Sequence, residues 1–182
     1  MRIIAGKWRG RALAAPVGEI TRPSSVRLRQ AAFDMILHAP WGGRDVIEGA
    51  SVLDGFAGTG AMGLEALSRG AASVVFIEQD RAALAVLGQN ILACGAGAAA
   101  RVLAGDFFKL RPPLGSTLVF LDPPYGGDLV TRALAHLVAA GGIAAGGLIV
   151  AETGRVEFVN TSCLLLAERA HGAGRLSILR LV

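Results

Sequence analysis

Between residues 51 and 152 the chain repeats one pattern, a short apolar run followed by a longer stretch with helical spacing of its apolar side chains. The runs are "SVLD", "SVVFIE", "ARVLA", "TLVFLD" and "GLIVAE", and the helical stretches include Ala61–Arg69, Arg81–Ala93 and Leu129–Ala139. Strands that alternate with helices must return in the same direction, so the pattern predicts a parallel sheet covered on both faces. The rhythm breaks near the end. "SCLLLAERA", "HGAG" and "RLSILRLV" predict a closing antiparallel hairpin. Upstream, "TRPSSVRLRQAAFDMILHAP" predicts a helix with Leu28, Ala31, Ala32, Met35 and Ile36 on one apolar face. Arg22 and Arg29 fall off that face, and Arg27 at its edge. Residues 1–20 read as an irregular or hairpin arm. The organisation expected is a basic arm and helix over 1–40, belonging to the same domain as the sheet over 41–182.

The turn after the first strand, "VLDGFAGTGAMG", holds Gly58, Gly60 and Gly63 in the spacing G-x-G-x-x-G. Its place between a strand and a helix is the context in which such glycines let backbone approach a nucleotide closely. Alone the signal is weak, since tight turns also use glycine for geometry. Asp54 at the end of the first run can receive an ammonium group. Glu78, 24 residues later at the end of the second, can accept from ribose hydroxyls. Asp106 follows the third run and can accept from an adenine amine, with Phe107 available to pack on the ring. These acids fall at the carboxyl ends of parallel strands, where open sheets bind ligands.

The fourth run ends in "DPPY". Asp122 supplies an acceptor, and Pro123 and Pro124 have no N–H and a fixed φ, so they present carbonyls rigidly. Asp122 with the Pro123 carbonyl matches an exocyclic amine, which carries two N–H donors. Tyr125 offers a face on which an extruded base can stack, and Gly126 and Gly127 leave room. Five alternating units, a terminal hairpin and this motif make a Rossmann-like class I S-adenosylmethionine-dependent methyltransferase sheet the expected fold. A dehydrogenase would more often continue with helices.

Charge narrows the partner. The net charge of +4 is uneven, with +6 on residues 1–33 and −2 on the other 149. Lys7, Arg9, Arg11, Arg22, Arg27 and Arg29 therefore read as contacts to a polyanion. The two cysteines, Cys94 and Cys163, are isolated, and so are the three histidines, so no metal is expected. The uncharged stretch Ala133–Ala151 contains His136 and two Gly-Gly pairs, so no membrane span is expected either. "MRIIAGKWRG" lacks the apolar core of a signal peptide, which predicts a cytoplasmic protein.

Five segments together, "MRIIAGKWRGRAL", "TRPSSVRLRQAAFDMIL", "LDGFAGTGAMGLEALSRGA", "VVFIEQD" and "FLDPPY", resemble the bacterial 16S ribosomal RNA guanine-N2 methyltransferases of the RsmD family. The resemblance implies S-adenosylmethionine as cofactor, the 2-amino group of one guanine in small-subunit rRNA as acceptor, and a cytoplasmic monomer. It implies that Asp54, Gly58, Gly60, Glu78 and Asp106 hold cofactor and that Asp122, Pro123 and Tyr125 hold the base. Three features depart from the family pattern: Val26 in place of Asp, Gln30 in place of Glu, and a His171-Gly172 turn where Tyr-Gly is usual. The other readings are an amino-methyltransferase acting on DNA adenine or another RNA, and a non-catalytic nucleic-acid-binding module with a relict cofactor fold.

Overall fold

The structure, a computed structural model, describes residues 1–15, 23–124, 126–172 and 174–182. Arg22 and Tyr125 lie outside the described residues. The elements are α1 (Pro23–His38), β1 (Ser51–Gly55), α2 (Ala61–Ser68), β2 (Ser73–Glu78), α3 (Arg81–Cys94), β3 (Ala100–Ala104), β4 (Ser116–Leu121), α4 (Leu129–Ala139), β5 (Ile143–Gly154), β6 (Leu164–His171) and β7 (Gly174–Arg180). A 3-10 turn, Arg44–Val46, precedes β1.

Seven strands form one sheet in the order β3-β2-β1-β4-β5-β7-β6. The first five are parallel, and β7 inserts antiparallel between β5 and β6. The chain walks outward from β1 to β3, then crosses back to place β4 on the other side of β1. The carboxyl ends of β1 and β4 are therefore adjacent at the point where the strand order reverses, and there the crevice of an open sheet lies. Alternate residues of the central strands face opposite ways, as the strand period requires. Val52, Leu118 and Phe120 join the core under α1, α2 and α3. Leu53, Val119 and Leu121 join the core under α4.

Two expectations shift. The strand predicted from Gly147 starts four residues earlier, at Ile143, so the Gly146-Gly147 pair lies inside β5 rather than in a turn. The β4–β5 register slips between Ser116 and Leu118, and Gly146 sits at φ +73°. Glycine thus absorbs a bulge without ending the strand. The second concerns α1, which buries more than one stripe. Phe33 and Arg29 are buried along with Leu28, Ala32 and Ile36.

The arm is fastened to the sheet domain. Arg2 and Ala12 form an isolated antiparallel bridge, and Ile3 and Leu13 enter the core. The Glu65 carboxylate, fully buried in α2, accepts from the Ile4 and Ala5 amides at 2.8 and 3.0 Å. Ser68 at the end of α2 holds the Lys7 amide, the Trp8 amide and the Ala5 carbonyl. A Cβ on Gly6 would stand 1.8 Å from the Ser68 carbonyl oxygen, so only glycine permits this approach.

Candidate active site at the carboxyl edge of the sheet

Five acids mark the strand ends along this edge: Asp106 after β3, Glu78 on β2, Asp54 on β1, Asp122 after β4 and Glu152 on β5. The loop between β1 and α2 is held by two of them, Glu78 and Asp54. Gly58 and Gly60 adopt φ +53° and +77°. A Cβ on Gly60 would meet Leu87 at 2.3 Å, and one on Gly63 would meet Phe76 at 2.5 Å, so both glycines serve close packing of loop and helix against the sheet. Gly58 differs. A Cβ there would meet nothing within 4 Å, so its backbone borders open space in which a ligand can lie.

The acids that flank this loop also shape it. Asp54 is buried and accepts from the Gly63 amide at 2.8 Å. Burial pushes its pKa up to about 7; the Gly63 hydrogen bond opposes this, and the neighbouring Glu78 charge adds to it. Glu78 accepts from the Gly58, Gln79 and Asp80 amides at 2.7, 2.7 and 2.8 Å. Asp106 accepts from the Phe108 amide at 3.0 Å and lies 3.6 Å from the exposed Lys109 ammonium. Phe107 does not line the crevice, which corrects its expected place on an adenine ring. It is 3% exposed and stacks on Phe56 with ring centroids 4.6 Å apart, under Gly55. The half-buried neighbour Phe108 faces the Arg132 guanidinium at 4.5 Å instead.

On the other side of the switch point, Asp122 keeps exposed surface, Pro123 is buried and Pro124 is exposed. Protein packed around the Asp122 carboxyl still removes enough water to raise its pKa well above the usual carboxylate range. The Glu152 charge and the hydrogen bond that the protonated Asp122 carboxyl donates to Glu152 raise it further, and Asp54 adds to this. The loop after Pro124 is held from below: the Glu157 carboxylate accepts from the Gly154 amide at 3.2 Å and, more weakly, from the Gly126 amide at 3.4 Å.

The basic residues divide. Lys7, Arg9, Arg11 and Arg27 are exposed. Arg2 and Arg27 line a cleft of about 540 Å³ between the arm and α1. Arg29 is removed from the expected RNA contacts, because it is 2% exposed and lies 3.5 Å from Glu65. Its guanidinium donates to the Arg2 carbonyl at 2.6 Å. Burial pushes its pKa down, and Glu65 pulls it back. The arm also docks on the last residue of α2, Ser68, and on Ala93 near the end of α3. Those helix ends return to the edge opposite Asp122, whereas Asn90 ties Ala14, further along the arm, to the Thr59 carbonyl in the glycine loop. Lys109 after β3, Arg132 on α4 and Arg155 directly after β5 are basic residues toward the crevice edge, and sequence reasoning did not single them out. Of the family departures, Gln30 is occupied by Asp34 one turn away, at 2.6 Å. Among the described residues there is no cluster of three or more metal-ligating side chains, and no helix is long and apolar enough to cross a membrane.

Known proteins resemble this chain in sequence and fold. A family model described as conserved hypothetical protein 95 matches residues 1–180. The chain is 39% identical over 155 residues to the ribosomal RNA small subunit methyltransferase D of Escherichia coli K12, covering 84% of this chain and 74% of that protein. It is 35% identical over 158 residues to the protein of the same name from Haemophilus influenzae, covering 84% and 78%. A solved Escherichia coli structure described as a candidate methyltransferase superposes with a TM-score of 0.85 at 34% identity, covering 100% of this chain and 97% of the other. An RNA methyltransferase of Salinibacter ruber, solved with S-adenosyl-L-homocysteine, shares the class I fold at a TM-score of 0.63 and 17% identity, covering 85% and 90%. A match that runs from the arm to β7, on a crevice bordered by a glycine loop and strand-end acids, shows that this chain belongs to the RsmD family.

Proposed function

We propose that this chain transfers a methyl group from S-adenosylmethionine to the 2-amino group of a guanine in 16S rRNA, free or in the small ribosomal subunit. The observation that carries the reading is the adjacency of Asp122-Pro123, directly after β4, to the glycine loop and Asp54 on β1, in a chain of this family. The open space at Gly58 and the acids around it fit an adenosine-bearing cation. Glu78 would hold the ribose, Asp106 the adenine amine and Asp54 the ammonium end. When bound, the cofactor supplies an electrophilic methyl on a sulfonium.

The protein's task is to aim a poor nucleophile. The guanine amine is conjugated with its ring, and Asp122 with the Pro123 carbonyl can take its two hydrogens and turn its lone pair toward the methyl. The same acceptors stabilise positive charge as it develops on nitrogen. The proton then leaves through Asp122 or water. No step calls for a metal. The reading includes a cytoplasmic, monomeric enzyme. Incubating unmethylated small subunits or their rRNA with labelled cofactor tests it. N2-methylguanosine in the nucleoside digest supports it, N6-methyladenosine moves the substrate to adenine, and no label removes the activity.

Two further results are expected. Glu78→Ala should weaken S-adenosylmethionine binding by about 10- to 100-fold, because a charged acceptor for the ribose and the Gly58 anchor both go. Calorimetry that shows unchanged affinity would place the ribose elsewhere. Replacing Lys7, Arg9 and Arg11 together should flatten the slope of log RNA affinity against log salt by about two to three units, since each phosphate contact contributes about 0.7–0.9. Cofactor affinity should stay constant. Identical slopes for both proteins would confine RNA to the crevice edge, on which Lys109, Arg132 and Arg155 lie.

A further inference from the structure

Glu152 is the one strand-end acid without a part in the reaction as drawn above. Leu121 and Ala151 are partners in the parallel β4–β5 register, so Asp122 and Glu152 are the next residues on adjacent strands. Their side chains hydrogen-bond to each other, which requires one proton between two carboxyl groups. Asp122 is exposed and Glu152 half-buried, so a ligand entering the crevice can reach both. Three other charged groups nearby are committed, while Arg155, three residues on, is exposed. Asp54 faces the pair from β1 while holding the Gly63 amide. Glu157 is turned to backbone amides, and Arg175 pairs with Glu168 and the Glu157 carbonyl.

We infer that Glu152 reads the N1–H of the target guanine, while Asp122 and the Pro123 carbonyl hold the amine beside it. The inference rests on the guanine-N2 reading. Guanine presents N1–H next to its 2-amino group, so these two neighbouring positions both offer donors. Adenine presents a bare N1 acceptor next to its amine. A carboxylate accepts from the first edge and repels the second. An empty crevice can share a proton between the two acids, whereas a docked guanine replaces it with its own donors. A base with N–H groups at both positions offers each acid a donor. This makes Glu152 a specificity-determining residue rather than a second copy of Asp122.

The test uses the full chain and an rRNA fragment in which the methylated guanine, once located by mass spectrometry, is replaced by 2-aminopurine. That base keeps the acceptor amine and lacks the N1–H. Wild type should lose about 10- to 100-fold in kcat/KM on the substituted RNA. Glu152→Gln should lose a similar factor on guanine, and it should treat the two bases alike within about threefold, because an amide can pair with either edge. Its cofactor affinity and melting temperature should match wild type. Loss of the Glu152 charge also lowers the Asp122 pKa, so the acid limb of the rate profile should move to lower pH. A defect in folding alone would slow the reaction at every pH without moving that limb. Wild type that methylates 2-aminopurine as fast as guanine overturns the inference without any variant. So does Glu152→Gln that keeps full discrimination. Wild type that yields no N2-methylguanosine fails the guanine reading instead, and that result is seen before 2-aminopurine is used.

Discussion

Asp122→Ala is expected to lower kcat for methyl transfer by about three orders of magnitude, the scale on which one preorganised electrostatic contact to a reacting centre acts. Cofactor affinity should change little, because the glycine loop, Glu78 and Asp106 all lie on the β1–β3 side of the switch point. Asp122→Asn should fall between the two, since the amide oxygen still accepts from the amine and the repulsion against Glu152 is relieved. Rates from single-turnover labelling, paired with calorimetric cofactor binding, separate the outcomes. Turnover near wild type in the alanine variant would mean that Asp122 does not face the amine. The pH dependence has a definite sign. Crowding, Glu152 and Asp54 all raise the Asp122 pKa, so the accepting carboxylate is absent at low pH and forms only as pH climbs past the usual carboxylate range.

The largest stability effect is expected at Glu65, far from the chemistry. Its carboxylate is fully buried and holds the Ile4 and Ala5 amides, the Arg69 guanidinium at 2.8 Å and the Arg29 guanidinium at 3.5 Å. Glu65→Ala leaves two nearly buried cations without their counter-charge and two amides without an acceptor. Breaking such a pair from one side costs about 3–5 kcal/mol, or about 6–20 °C in melting temperature for a domain of this size. The arm should loosen first, so limited proteolysis near residues 4–8 should precede global unfolding. A melting temperature within a degree or two of wild type would show that solvent replaces these contacts without penalty.

The sheet was legible because strand and helix periods differ and the acids sit where apolar runs stop. Helix bounds moved by one residue at α2 and α3, and α4 matched the expected span. Arg29 and Phe107 were misread for a shared reason: a residue type says what a side chain can do, and packing decides whether it faces water. Nothing local to Arg29 announces Glu65, 36 positions away. Glu65 itself carries a weak signal, as the single charge in the apolar helix "AMGLEALS". Glu152 ends its apolar run just as Asp54 and Glu78 end theirs, so the rule that found those two reaches it as well. What the sequence does not give is its partner, because strand register sets which carboxyls meet.

The fastening of the arm fixes an order of events during synthesis. Its side-chain partners come late: Glu65 and Ser68 follow Ile4, Ala5 and Trp8 by 60 to 63 positions, and Asn90, which holds both the Ala14 backbone and the Thr59 carbonyl, follows Ala14 by 76. At about 5–20 residues per second, Ala14 therefore waits about 4 to 15 s for Asn90 to be translated. The arm is set in place only after later segments supply its partners, and its basic residues spend that interval on unanchored backbone.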